Sequence, residues 1–140
     1  SVESTNNQIK IKCNDFDKLI NVNSKIISNF TTLQNMIDDL DDISEDGISC
    51  GVGYKEFLTM IMFAKMNENE LGNDVCRIRD LTENETRLFH ENNIDELLNL
   101  CKACNFLGFE YMMKILCKHI GIISRDKEVY FKIRDHMNKV

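Results

Sequence analysis

A chain of 140 residues is the length of one domain, and it can bury roughly two-thirds of its unfolded surface in a single core. Apolar residues make up 43% of the chain and charged residues 29%, a balance that predicts a globular protein and excludes a disordered one. The net charge of −6 argues against nucleic acid as a partner, because phosphate would be repelled. No apolar run approaches the roughly 20 residues that cross a bilayer, so we expect a soluble protein without a membrane partner.

The first part of the chain predicts β structure. Residues 1–8 are polar and are expected to fray. Apolar and charged side chains alternate over 9–13, the pair 14–15 is Asn-Asp, and 19–22 is again apolar at most positions. This pattern predicts a hairpin of two short strands.

One amphipathic helix is predicted over 24–40, because apolar residues recur there at intervals of three and four. These residues are Ile27, Phe30, Leu33, Ile37 and Leu40. The acidic segment 38–46 is predicted to end this helix as a solvated loop, since carboxylates are unfavourable at a helix C-terminus. Its spacing does not match a calcium-binding EF-hand loop.

Alternation resumes at 48–52 and predicts a third strand of about four residues. The following Gly51-Val52-Gly53 is interpreted as a strand-to-helix turn rather than a phosphate-binding loop, because the rest of that motif is missing. A second helix is expected to begin near Tyr54. Residues 67–87 are predicted to form a linker, with a short strand or helix near 75–78.

The last third of the chain has the most regular periodicity. Apolar residues follow helical spacing over 94–104 and again over 109–123, with Gly108 between them. So short a junction predicts a helical hairpin. A further stripe predicts a final helix over 126–138. The sequence therefore predicts one α+β domain over 1–140, with a small three-stranded sheet flanked by helices.

The cysteines allow two interpretations. Their even number, six, and two glycosylation sequons at Asn29 and Asn84 would suit a secreted protein. However, Cys101, Cys104 and Cys117 fall on the apolar faces of predicted helices, where free cysteine acts as a small hydrophobe. We favour reduced cysteines and a cytoplasmic or nuclear location, because the spacing is helical rather than rich in loops.

Four residues have the chemistry of a zinc site: Cys101, Cys104, Cys117 and His119. His119 lies about 200° around the helix from Cys117, so both cannot point towards one ion. A redox Cys-x-x-Cys motif would need a helix N-terminus, whereas this pair lies late in its helix. Core packing is favoured, and neither a metal nor a cofactor is predicted.

No catalytic constellation is visible. The three histidines lack a flanking Ser or Cys pattern, and His90 and His136 are interpreted as solvent-facing. Methionines at helical spacing are interpreted as core residues. The last third carries apolar residues that one small core does not need, among them Tyr111, Tyr130 and Phe131. The sequence thus predicts a protein-binding surface rather than an enzyme.

Residues 96–118 resemble the Skp-one and elongin C adaptor family, which has the BTB/POZ fold. That family has a Leu-rich helix ending in Ala-Ala-Asn-(Tyr or Phe)-Leu-Asp, and here the corresponding residues are Ala103, Cys104, Asn105, Phe106, Leu107 and Gly108. The resemblance continues into a stretch similar to one that ends in Thr-Cys-Lys in Skp-one. The predicted order of strands and helices is also similar to that of the family.

The resemblance implies a non-enzymatic adaptor in a ubiquitin-ligase complex that acts in ubiquitin-dependent protein degradation. Asn105 and Phe106 match the residues that face the cullin scaffold. The receptor, an F-box or similar helical protein, would contact the end of the hairpin and the helix after it, at Ile120, Ile123, Val129, Tyr130 and Ile133. The alternative is a self-associating BTB/POZ domain that forms a homodimer through its N-terminal strand and first helix.

Overall fold

The computed structural model describes residues 7–42, 45–72, 77–125 and 135–136. Within them the elements in chain order are β1 (Gln8–Lys12), β2 (Ile20–Asn23), α1 (Ser24–Ile27), α2 (Thr31–Asp38), β3 (Ile48–Ser49), α3 (Tyr54–Met66), α4 (Glu68–Gly72), α5 (Glu83–Phe89), α6 (Ile94–Leu107) and α7 (Glu110–Ile123). The architecture is α+β, as predicted. None of these helices is both long and apolar enough to cross a membrane.

The sheet is mixed and has the strand order β2-β1-β3. The predicted hairpin is confirmed, because β1 and β2 pair antiparallel with Ile11 opposite Ile20. β3 pairs parallel to β1, with Ile11 opposite Ile48. Ile11 is fully buried while the neighbouring Lys10 is exposed, so period-two alternation places one face of the sheet against the helices.

The single helix predicted over 24–40 is wrong, because the structure breaks it into α1 and α2. The break is at Phe30, whose backbone is not helical (φ −100°, ψ 87°) and whose ring is fully buried. The ring packs against Phe109, with 4.7 Å between centroids, and against Phe57 at 6.1 Å. The Asn29 side-chain amide donates to the carbonyls of Lys25 and Ile26 at 3.2 Å and so closes α1. Burial of one aromatic ring has overridden helical periodicity.

The third strand is shorter than predicted, with two residues instead of about four. The chain leaves it at Gly51, which has a positive φ of 81°. The predicted turn is confirmed: Gly53 is the N-cap of α3, and that helix begins at Tyr54.

The segment predicted as a linker, 67–87, contains two short helices, α4 and α5. α5 begins with a capping box, in which Thr82 Oγ1 accepts from the Glu85 N–H at 3.2 Å and Glu85 Oε1 accepts from the Thr82 N–H at 2.8 Å. Of the predicted element at 75–78, residues 75–76 lie outside the described part, and Arg77 and Ile78 have no regular structure.

The predicted helical hairpin is confirmed as α6 and α7. Gly108 ends α6 in the left-handed conformation with φ 80°, and the Phe109 N–H donates to the Cys104 carbonyl at 2.8 Å. Most of the predicted final helix, 126–138, lies outside the described residues, although Asp135 and His136 are helical.

Candidate protein interaction surface

Phe106 is the most unusual apolar residue of the hairpin. Its side chain lies in the last turn of α6 and is 55% exposed. Every other phenylalanine in the described ranges is buried or half-buried. Asn105 beside it is also exposed. A large aromatic side chain left in water on a regular helix indicates a contact surface.

Two glycines position this ring. A Cβ atom on Gly51 would lie 2.7 Å from the Phe106 ring, so the ring rests directly on the turn that follows β3. Gly108 ends the helix, and its carbonyl accepts from the Thr31 N–H at 3.3 Å and from Thr31 Oγ1 at 3.2 Å. The start of α2 is thereby fixed to the end of α6. Phe106 is consequently exposed on a rigid support rather than on a loose loop.

A second aromatic pair flanks the same turn. The rings of Phe16 and Tyr54 stack, with 4.0 Å between centroids, and both residues are half-buried. Asp15 Oδ1 accepts from the Tyr54 N–H at 2.7 Å, and the Asn14 side-chain amide donates to the Gly51 carbonyl at 2.9 Å. These bonds tie the β1–β2 turn to the loop that supports Phe106.

We call Phe16, Tyr54, Asn105 and Phe106 the aromatic surface. Asp15 and Asp17 flank Phe16 in the chain, and two further carboxylates stand at helix starts, Glu56 in the first turn of α3 and Glu110 in that of α7. The helix dipole stabilises negative charge at such positions. The result is a rigid patch of aromatic rings with a polar edge, which is the composition of a protein–protein contact.

Two of the predicted receptor residues, Ile120 and Ile123, lie in the last turns of α7, at the other end of the hairpin. The fourteen residues from Glu110 to Ile123 give α7 a length of about 20 Å, which separates its end from the aromatic surface. Ile123 is half-buried. Ile120 is only 6% exposed, so its side chain belongs to the core of this chain, and its contact with a receptor stays a prediction. The remaining three, Val129, Tyr130 and Ile133, lie outside the described residues.

Tyr111 was predicted as an apolar residue that the core does not need. This prediction is wrong, because the residue is only 8% exposed. Its ring packs 6.0 Å from that of Phe63, and its hydroxyl donates to Glu70. Burial and this hydrogen bond raise the pKa of Tyr111 to about 12. Tyr130 and Phe131 lie outside the described ranges.

The cysteines in the described residues are all free thiols. Cys104 is buried as predicted, Cys101 is half-buried and Cys117 is exposed, so the packing interpretation is wrong for Cys117. Burial is the main cause that raises the pKa of Cys101 to about 12, and the nearby Cys117 adds to it. The Cys101 thiol therefore stays protonated and unreactive. The described part of the chain contains no group of three metal-ligating side chains.

The histidines differ from one another. His90 is exposed, as predicted. The side chain of His136 is only 14% exposed, so its prediction as solvent-facing is wrong. Its Nδ1 lies 3.5 Å from Asp95 Oδ1 at the start of α6. Partial burial lowers the pKa of His119.

Sequence reasoning missed a buried polar network behind the hairpin. Glu85 is 1% exposed, yet Arg79 Nη1 donates to its Oε1 at 2.6 Å and Arg79 Nη2 to its Oε2 at 3.0 Å. The amide of Asn67, itself 4% exposed, donates to Glu85 Oε2 at 2.9 Å. The Arg79 guanidinium also lies 5.9 Å from the centre of the Tyr111 ring. The one sequence signal of this network is the Thr-x-x-Glu capping box at 82–85.

Opposing influences act on the Glu85 carboxyl. Burial alone raises its pKa, but hydrogen bonds from Arg79, the Thr82 backbone and Asn67 outweigh burial and lower the pKa to about 2. The same contact raises the pKa of Arg79. Both groups are therefore charged at neutral pH. Since they hold the segment before α5 against α3 and α7, we assign them a structural role.

Known protein families provide no match to this chain, and neither do curated proteins. The resemblance of residues 96–118 to Skp-one and elongin C thus stays an expectation from the sequence.

Proposed function

We propose that this chain is a non-enzymatic adaptor of the Skp-one and elongin C type, with a BTB/POZ fold. In this proposal the aromatic surface binds a cullin scaffold. The opposite end of the α6–α7 hairpin binds an F-box or similar helical receptor, and the adaptor joins the two in a ubiquitin ligase.

The observation that carries the proposal is the exposed, rigidly supported Phe106. An aromatic ring that is 55% exposed keeps apolar area in water until a partner covers it. Because Gly51 and Gly108 already fix its position, little conformational entropy is lost on binding. Asn105 and Phe106 are also the residues that the family resemblance assigns to the cullin contact.

Further support comes from the order of the elements. A strand hairpin, helices, a third strand, another helix, an intervening segment and a helical hairpin follow one another, which is similar to the order expected of the family. The two proposed binding regions stand at opposite ends of one hairpin. Two partners could therefore bind at once without touching each other.

The receptor side depends on the end of α7. Ile122 is 39% exposed and Ile123 is half-buried, so this end presents apolar surface beside the buried Ile120. A partner helix commonly lays its apolar face into such a groove.

The test is binding to a purified cullin N-terminal domain, measured by calorimetry. We expect Asn105→Lys with Phe106→Ala to weaken binding at least about tenfold, because central aromatic contacts dominate such interfaces. Met62→Ala is the matched control, since Met62 is similarly exposed, at 42%, but lies on α3. Equal affinity of the double variant and the original chain would contradict the cullin assignment, provided that circular dichroism shows both folded.

A second candidate function is self-association, because β2 is an outer strand of the described sheet and offers an unpaired edge. Light scattering separates the two functions. A stable dimer that does not bind a cullin domain would favour self-association over the adaptor.

A further inference from the structure

A groove lies between the end of α2 and β3, and it shares no described lining residue with the aromatic surface. Its volume is about 530 Å³. Its lining residues are Met36, Asp39, Leu40, Asp42, Gly47, Ile48 and Ser49. Met36 is 40% exposed and Leu40 47%, so two large apolar side chains stand in water at this place. We call these seven residues the β3 groove.

The charge of the β3 groove has one sign. Among the described residues that line it, the charged ones are Asp39 and Asp42, and both are acidic. Between residues 26 and 54 the sequence has six acidic residues and no lysine or arginine. The last turn of α2 also lacks a basic residue, so the negative end of the helix dipole adds to the carboxylates. Lys10 and Lys12 on β1 are exposed, but neither lines the groove.

The edge of β3 can accept another strand. In the described residues β3 pairs with β1 alone. The Cys50 N–H donates to the Lys12 carbonyl at 3.0 Å, so the backbone of Cys50 faces β1. In a parallel ladder the intervening Ser49 then directs its N–H and carbonyl to the other side. Ser49 is exposed, and among the described residues neither group has a backbone partner outside the sheet.

We propose that the β3 groove binds an extended, lysine- or arginine-rich segment of a partner protein, which adds as a strand to the free edge of β3. The partner's apolar side chains would cover Met36 and Leu40, and its basic side chains would pair with Asp39 and Asp42. A second copy of this chain fits less well, because it carries the same net charge of −6. This inference does not depend on the adaptor function.

The test uses the full chain and a dye-labelled ten-residue peptide of alternating lysine and valine with blocked ends. Fluorescence anisotropy should show binding that weakens about tenfold between 50 and 300 mM salt, because screening weakens contacts between exposed charges. A glutamate–valine peptide should not bind. A lysine peptide with two valines changed to proline keeps the charge but cannot pair as a strand, and it should bind at least about fivefold more weakly.

Two charge-matched variants locate the site. Asp39→Asn with Asp42→Asn should weaken binding of the lysine peptide at least about fivefold, whereas Glu83→Gln with Glu91→Gln should stay within about twofold. Glu83 and Glu91 are exposed and lie outside the groove. Hydrogen exchange of the Ser49 amide should slow when the peptide is bound.

Three results would overturn the proposal. The lysine and glutamate peptides could bind with equal affinity, or the proline-containing peptide could bind as tightly as the unmodified lysine peptide. The third is an equal loss of affinity for the lysine peptide in the two double variants. A homodimer that Leu40→Lys abolishes would also overturn it, because the occupant would then be a second copy.

Discussion

Phe106 and Glu85 depart from the usual rule of burial in opposite directions. The phenylalanine stands in water on a rigid glycine support, whereas the glutamate is sealed inside with a full set of hydrogen bonds. The exposed Phe106 ring is not needed to fold the monomer. The buried Glu85 carboxylate is not accessible to a partner. This contrast separates binding from stability within one small domain.

The largest expected effect is on the buried side of this comparison. Arg79→Met should lower the free energy of unfolding by about 3–5 kcal/mol, because Glu85 would be left charged and unpaired in the core. Urea unfolding monitored by circular dichroism measures the change.

Two controls sharpen this result. Arg87→Met removes an exposed partner of Glu83 and should cost less than about 1 kcal/mol. Phe106→Ala should also stay within about 1 kcal/mol, since the ring is already largely in water. A large loss for Phe106→Ala would mean that this ring stabilises the fold, and the contrast with Glu85 would disappear.

The next effect is a dependence on pH. The folded pKa of Glu85, about 2, is below its ordinary value of 4.5, so the unfolded state binds more protons between these values. The contribution of the Glu85 carboxylate to the free energy of unfolding is fully present above pH 4.5. It is lost as the pH is lowered towards 2, by about 3 kcal/mol in total. Urea unfolding at intervals from pH 5.5 to 2.5 follows this loss.

Glu85→Gln provides the reference for this titration, because its side chain cannot ionise. The variant should be less stable at neutral pH and should lose less stability on acidification. If the original chain and Glu85→Gln show parallel curves, another carboxyl is responsible for the acid sensitivity.

The smallest expected effect concerns the support of the aromatic surface. Gly108→Ala should cost about 1–3 kcal/mol, because φ is +80° and the new Cβ would lie 2.7 Å from the Thr32 amide nitrogen. Gly121→Ala is the matched control in α7, where no atom of the described residues beyond the local backbone lies within 4 Å of the added Cβ. It should raise stability by about 0.5–1 kcal/mol, since alanine is the better helix former. Thermal unfolding should order the melting temperatures as Gly121→Ala, original chain, Gly108→Ala; the reverse order would contradict the role given to Gly108.

The regular parts of the fold were predictable. Period-two alternation located β1 and β2, and the glycine between two apolar stripes located the hairpin turn. The helix predicted over 24–40 failed because of a tertiary contact. Phe30 fits the helical stripe of 24–40, but its ring is drawn into the core between Phe57 and Phe109, which breaks the helix.

For the candidate surface, the sequence identified Asn105 and Phe106 through a resemblance, and the structure places both on an exposed face. It did not identify Phe16 and Tyr54, because stacking between a turn and a helix start leaves no periodic signal. It also placed Cys117 inside and Tyr111 outside, the reverse of what is found. Spacing along one helix shows which residues share a face, but not how far the neighbouring helix extends over it.

The sequence by itself determined the β1–β2 hairpin, the start of α3 and the glycine that turns α6 into α7, because propensity and periodicity are local properties of the chain. Only the tertiary structure decided which apolar residues stay in water and which charges are buried. Arg79 lies only six residues before Glu85, but the pair is buried only after Asn67 at the end of α3 and Tyr111 on α7 have packed beside it. Phe106 is exposed because no element of the described residues covers it.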